Sequence, residues 1–170
     1  MSLTERIQPD LEVPDRRDLL TVLAFIIGIN AVGAAPALLG GPESAWFQAL
    51  EQPWFYPPGW LFGVVWTALF TLMGVAVYLV YRQGIENRPV KVALGLFGLQ
   101  MLVNVSWTPV FFTAQEPGYA LGIVGTLVVL VAVTIGAFAR VDRRAALLLV
   151  PYLVWGAFAT VLNYAIWTLN

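Results

Sequence analysis

The chain has 170 residues, 59% of them hydrophobic and only 11% charged, with a net charge of −1 and neither histidine nor cysteine. Soluble domains are about 45–50% apolar and 25% charged, so this is the composition of a membrane protein. The missing His and Cys exclude disulfides, thiol nucleophiles, thiolate haem ligation and the commonest metal ligand, and the charge balance offers no basic surface for nucleic acid.

Residues 1–18 form a polar tail that mixes Arg6, Arg16 and Arg17 with Glu5, Asp10, Glu12, Asp15 and Asp18. Such a segment is expected to be solvated and weakly ordered. Five apolar runs follow, each long enough to cross about 30 Å of hydrocarbon: residues 19–38, 59–81, 92–113, 118–139 and 145–169. None contains Lys, Arg, Asp or Glu. Exposed backbone polar groups are too costly in lipid for anything but helices or closed barrels, so each run is expected to be an α-helix and the whole of 19–170 one all-α, five-helix transmembrane bundle. The first run is read as a retained span, because it exceeds the 7–15 residues of a leader's apolar region and its flank is not purely basic.

Between the first two runs, SAWFQALEQPWF has the mixed character of a segment lying on the membrane interface. Pro57 and Pro58 then open the second helix, where missing N–H groups cost nothing. Pro109 and Pro151 fall inside the third and fifth runs and are expected to kink them and open gaps. Gly28, Gly33, Gly95, Gly98, Gly118 and Gly122 are small residues suited to close helix approach.

The nine basic residues occupy three places: before the first run, between the second and third (Arg82, Arg88, Lys91), and between the fourth and fifth (Arg140, Arg143, Arg144). For five spans these share one side, and by the positive-inside rule the N-terminus lies inside and the C-terminus outside. With no appended targeting segment read, a prokaryotic plasma membrane is the expected location and the mitochondrial outer membrane the alternative.

Trp46, Trp54, Trp60, Trp107 and Trp167 fall near the outer boundary, where an aromatic belt would place them. Trp66 lies about 10 Å deeper and Trp155 near the midplane, so a belt does not account for them. A buried indole needs a partner for its N–H, and lipid offers none, so both rings are expected to face the bundle interior. At helical spacing, Phe62, Trp66, Phe70 and Met73 line one face of the second span. Gln100, Asn104, Trp107 and Phe111 line a face of the third, and Tyr152, Trp155, Ala159, Leu162 and Asn163 a face of the fifth. For the amides, interhelical hydrogen bonding is the plain structural reading, and a binding role requires that they also edge a cavity.

PWFYPPGWLFGVVWTALFTLMGVA, NVSWTPVFF and PYLVWGAFATVLNYAIWTLN, in that order and spacing, resemble the signature regions of the translocator protein family, also called TspO or tryptophan-rich sensory proteins and related to the peripheral benzodiazepine receptor. The resemblance covers the chain from the first span onward. It implies a five-helix bundle, commonly a homodimer, with a pocket beneath the loop after the first helix that binds porphyrins and other tetrapyrroles, benzodiazepine-type ligands and, in animal members, cholesterol. Matched residue by residue, the family's pocket tryptophans fall on Trp66 and Trp155, its third-helix wall on Asn104 and Trp107, and its ligand-facing position one turn after Trp155 on Ala159. The fourth-helix position that is tryptophan in animal members is Tyr119, so stacking there is expected to be weaker. Phe62 and Phe111, on the same faces as Trp66 and Trp107, complete the ligand-binding candidates.

Two departures stand out. Only Gly59 separates Pro58 from Trp60, where animal members carry a histidine-bearing segment, and nothing basic follows Tyr152, which lowers the sterol reading.

A porphyrin suits aromatic walls with its propionates left wet at the mouth. With only Met73, Met101 or a tyrosine available as axial ligand, porphyrin or haem is expected as a ligand held by its ring faces rather than as an obligatory cofactor or through a metal site. The expected function is a membrane receptor or sensor for tetrapyrroles and similar lipophilic molecules. The resemblance adds light-dependent porphyrin breakdown with Trp66 and Trp155 as redox partners. No acid, base or nucleophile lies within the spans, so enzyme status stays open. A transporter or passive facilitator of such molecules, and a regulatory membrane partner with no ligand, are the alternatives.

Overall fold

The computed structural model describes residues 15–170, so most of the polar tail lies outside the described residues. Helix α1 spans Arg16–Ala34 and tightens into a 3₁₀ turn, Ala35–Leu38, around Pro36. A short helix α2, Ala45–Ala49, follows, its first turn capped by the Ser44 hydroxyl accepting from the Phe47 N–H at 3.3 Å. Then come α3 (Gly59–Tyr81), α4 (Arg88–Thr108) with a π-helical turn Pro109–Thr113, α5 (Pro117–Ala139), α6 (Arg143–Leu148) and α7 (Val150–Leu169). Among the described residues there is no strand, and five helical runs are long and apolar enough to span a membrane.

Four of the five spanning helical runs begin earlier than the apolar runs. Arg16, Arg17 and Asp18 belong to α1, Arg88 to Lys91 to α4, Pro117 to α5, and Arg143 and Arg144 to α6. Hydropathy sees only where lipid begins, whereas helix starts are set by caps and by prolines in the first turn, here Asp142, Pro89 and Pro117. The tail's last residues are therefore helical rather than loose. The fifth spanning run, Arg143–Leu169, is interrupted two residues before Pro151, as a proline inside it is expected to do. Pro151 occupies the first turn of α7, and the single turn residue Leu149 separates α6 from α7.

Paired residues descend one helix as they climb the other: Phe25 meets Tyr81, Asn30 donates to the Thr71 hydroxyl at 3.3 Å, and Gly33 lies under Phe70. Helices α1 and α3 are thus antiparallel. Their closest approach requires glycine, since a Cβ on Gly33 would run into the Phe70 ring and one on Gly74 would sit 2.6 Å from Ile26 Cα. Short connections make α3–α4, α4–α5 and α5–α6 antiparallel as well, so Arg82, Arg88, Lys91, Arg140, Arg143 and Arg144 gather at one end of the bundle, called here the basic end. Helix α4 packs on α5, α5 on α6 and α7, and α3 on α6, while α1 leans on α3 and has no fully buried residue.

Ile27, Leu102, Val129, Val154 and Val161 stand exposed along the helices, as side chains that face hydrocarbon do. The interior divides into two clusters. One fills the basic half with Met73, Val80, Val90, Phe97, Leu127, Phe138 and their neighbours, and the other sits at the opposite end around Phe47, Phe111, Ala120, Leu162 and Ile166. The candidate site lies where the two meet.

Candidate functional site

The end of the bundle away from the basic residues is closed by the connection between α1 and α3. In its α2 helix Phe47 is 3% exposed and inserts among Phe112, Tyr56 and Phe111, with ring centroids 5.3, 5.8 and 6.0 Å away, while Ala45, Gln48 and Ala49 stay exposed. Mixed polarity identifies an amphipathic segment but does not say whether lipid or protein covers its apolar side. Both ends of the connection are tied down. The Thr113 hydroxyl donates to the Leu39 carbonyl at 3.0 Å, and the Asn170 amide accepts from the Glu51 N–H at 2.9 Å while donating to the Glu51 carbonyl at 3.1 Å. Burial raises the phenol of Tyr56, in the same connection, above its ordinary pKa.

Beneath this cap, Pro109 cannot donate to the α4 ladder, and the register shifts to a wider turn in which the Ala114 N–H reaches the Pro109 carbonyl at 2.8 Å. Phe111 is 1% exposed and stacks on Trp107 with centroids 4.8 Å apart at 23°. The Trp107 indole donates to Asn163 Oδ1 at 2.9 Å, and Asn163 Nδ2 donates to the Pro117 carbonyl at 2.8 Å, so one amide on α7 holds α4 and α5.

Rings continue inward from the cap. Tyr56 meets Phe62 at 5.6 Å, Phe62 meets Trp155 edge-on at 5.8 Å and 73°, and Trp155 meets Phe158 at 5.3 Å. Deeper, Trp66 stacks on Phe70 at 5.2 Å and 29° and faces the edge of Tyr152 at 6.2 Å. Such pairs contribute about 0.5–1.5 kcal/mol each beyond area burial. Few backbone contacts link α3 to α7, and large rings bridge the space between them.

At the floor, Asn104 Nδ2 donates to the Tyr152 hydroxyl at 2.7 Å, and that hydroxyl donates to Gln100 Oε1 at 2.9 Å. Gln100 is fully buried and Tyr152 is 1% exposed. Two donors end without partners: Gln100 Nε2 and Trp155 Nε1. A buried N–H left unpaired costs about 1–3 kcal/mol, and that cost is recovered when an acceptor arrives. No carboxylate can supply one from within the spans, because the five apolar runs hold none.

The structure therefore brings Trp66, Trp155, Trp107, Asn104, Phe62 and Phe111 to a common interior region, with Ala159 half-buried one turn from Trp155. Tyr119 is not brought there. It is 74% exposed, because α5 is rotated so that the neighbouring Ala120 takes the inward position. Phe47 and Phe158 join the ring cluster without having been expected there; both are aromatic, and only a tertiary contact distinguishes them from belt residues. Of the tryptophans read as a belt, Trp54, Trp60 and Trp167 are 96, 70 and 49% exposed, whereas Trp46 packs edge-on against Phe111 at 5.9 Å. Met73 and Met101 are buried in the cluster of the basic half.

A family model described as the TspO/MBR family matches residues 21–168. The chain is similar to the tryptophan-rich protein TspO of Chlorobaculum tepidum, 40% identical over 156 residues that cover 91% of this chain and 98% of the relative. It is also similar to the tryptophan-rich sensory protein of Cereibacter sphaeroides, 36% identical over 90% of this chain and 93% of the relative, and to the human translocator protein, 41% identical over 76 and 78%. A match over nearly the whole described bundle, together with five spans folded around tryptophans of the second, third and fifth, leads to one conclusion: this chain is a member of the TspO/MBR family of multi-pass membrane proteins.

Proposed function

We propose that the protein is a membrane receptor or sensor that binds tetrapyrroles and comparable flat, lipophilic molecules among α3, α4 and α7, beneath the α1–α3 connection. The observation that carries this reading is Trp155, partly buried amid rings with its indole N–H shielded from solvent and unpaired. An interior meant only for stability would satisfy or avoid such a group. A ring system slipping between Phe62, Trp66 and Trp155 gains offset stacking on faces already held in place, and an edge acceptor satisfies the indole. With no His or Cys in the chain and Met73 and Met101 in the core of the basic half, the ring is held by its faces.

The relatives' names include both "sensory protein" and "translocator protein". Ion-coupled carriers keep ionisable side chains in the membrane, and the five apolar runs contain no Lys, Arg, Asp or Glu, which favours the receptor. The basic end then faces the cytoplasm and the cap faces out.

The test is saturable quenching of tryptophan fluorescence by protoporphyrin in detergent, repeated on Trp66→Phe and Trp155→Phe. Affinity is expected to fall by about tenfold in each variant, the equivalent of about 1.4 kcal/mol. Unchanged affinity in both refutes the site, and no saturable quenching in the wild type refutes the receptor. Loss of porphyrin absorbance on illumination, abolished in the same variants, is the signature of a photochemical role.

A further inference from the structure

The two ends of the bundle differ in charge as well as in packing. Every Lys and Arg of the described residues belongs to the basic end, and from Asp18 to Tyr81, from Val92 to Ala139 and from Ala145 to Asn170 the sequence has no Lys, Arg or His. The capped end carries Glu43, Glu51 and Glu116, all three exposed. They sit on the segments that close the ring cluster. Glu43 precedes the Ser44 cap of α2, and Glu51 is fixed through its own peptide to the Asn170 amide at 2.9 and 3.1 Å. Glu116 follows the widened turn after α4, its N–H donating to the Val110 carbonyl at 3.2 Å. The one ion pair among the described residues, Arg144 with Asp142, lies at the other end.

Carboxylates without counter-charges hold a negative potential over the mouth of the site. The cations of the basic end do not cancel it, being about 30 Å away, or about three Debye lengths at 0.1 M salt. What lies between the carboxylates and the interior is aromatic. Trp54 and Trp60 stand exposed at the same end, and the rings of Phe55 and Phe158, 6.5 Å apart, lead from the Glu51 segment to Trp155. Ring faces carry the negative side of the quadrupole and attract cations. An aromatic interior alone would take any flat apolar ligand, and exposed carboxylates alone would be solubilising surface. Together, an acidic rim over ring faces concentrates cations and repels anions. Resting on the receptor reading above, we propose that the site selects flat lipophilic ring systems that carry positive charge on the edge trailing at the mouth. Neutral rings follow in preference. Tetrapyrroles with free propionates are the disfavoured form, because their carboxylates are left among Glu43, Glu51 and Glu116.

The test uses one ring in three charge forms: mesoporphyrin IX with both propionates free, its dimethyl ester and its bis-choline ester. Binding is read by tryptophan quenching in a non-ionic detergent. Two ligand charges about 15 Å from three carboxylates favour the dication over the dianion by about thirtyfold at about 10 mM salt, beyond any difference in micelle partition. Salt isolates that part. Between about 10 and about 500 mM, and measured against the neutral dimethyl ester, the dication is expected to weaken about fivefold and the dianion to tighten about fivefold. In the triple variant Glu43→Gln, Glu51→Gln, Glu116→Gln both trends are expected to vanish, with the dimethyl ester affinity unchanged. A dication that does not weaken with salt, a dianion that does not tighten, or trends that persist in the triple variant overturn the proposal. The wild-type salt series decides alone if the triple variant does not fold. Each of these outcomes leaves the receptor reading intact, provided Trp66→Phe weakens the dimethyl ester. Saturable binding by none of the three forms overturns both readings.

Discussion

Replacing Tyr152 with phenylalanine removes a single oxygen and strands two amides. The hydroxyl accepts from Asn104 Nδ2 at 2.7 Å and donates to Gln100 Oε1 at 2.9 Å, and it joins α7 to α4 at a depth where no bulk water competes. Two estimates of the cost disagree. Desolvated groups left unpaired cost about 1–3 kcal/mol apiece in water-soluble proteins, which would make the loss about 2–6 kcal/mol. Interhelical hydrogen bonds in membrane proteins average only about 0.6 kcal/mol and reach about 1.7, because separated helices in lipid find other partners. The second governs here, since the reference state is inserted helices rather than a hydrated chain, and two bonds then amount to about 1–3 kcal/mol. The ring stays, so the edge contact with Trp66 at 6.2 Å and the volume are preserved. Reversible unfolding in mixed micelles measures the loss. The coupled variant Tyr152→Phe with Gln100→Leu adds a sharper criterion: removing both partners replaces an orphaned pair by apolar packing, so it is expected to cost less than the sum of the single changes. A Tyr152→Phe loss below about 0.3 kcal/mol, or strict additivity in the double variant, would refute the network as a stabilising element.

Two further expectations test the frame around the site. Gly74→Ala places a Cβ 2.6 Å from Ile26 Cα, backbone that cannot swing aside, and is expected to destabilise the α1–α3 pair by about 1–3 kcal/mol in the same unfolding assay, whereas Gly28→Ala, with nothing within 4 Å, is not. Asp142 caps α6 through the Arg144 N–H at 2.8 Å, and the Arg144 side chain donating to its carboxylate holds the Asp142 pKa below its ordinary value. A depressed carboxylate pKa contributes stability that is present above the unfolded-state value, near 4, and is lost as pH falls through the folded value. Stability measured from pH 7 downward is therefore expected to hold to about pH 5 and to fall below about pH 4, and Asp142→Ala to remove about 1 kcal/mol at pH 7 along with that part of the acid dependence.

Much of this molecule is determined by its sequence, because lipid admits so few alternatives. Five uncharged apolar runs must become helices, their lengths match a bilayer, and the α3 run, Gly59–Tyr81, agrees with its helix residue for residue. Trp66 and Trp155 both pack against interior rings, as their sequence positions imply, yet not because an indole N–H requires a partner, since Trp155 Nε1 has no hydrogen-bond partner there. Helical periodicity likewise placed Gln100, Asn104 and Asn163 on inward faces, where all three are found buried.

Which of these groups meet was decided only by the tertiary structure. Asn104 pairs with Tyr152 but Asn163 with Trp107, and nothing in periodicity distinguishes that pattern from its exchange, since it depends on the rotation and stagger of α7 against α4. The same rotational freedom turned Tyr119 outward and Ala120 inward on α5, a helix apolar on every side and so without a stripe to fix its facing. The loop's Phe47 became a plug because the widened turn at Pro109 presents Phe111 and Phe112 to it. Chain order in hydrocarbon sets depth along the membrane normal; azimuth is set by packing, and in this bundle azimuth determines which donors are left unpaired.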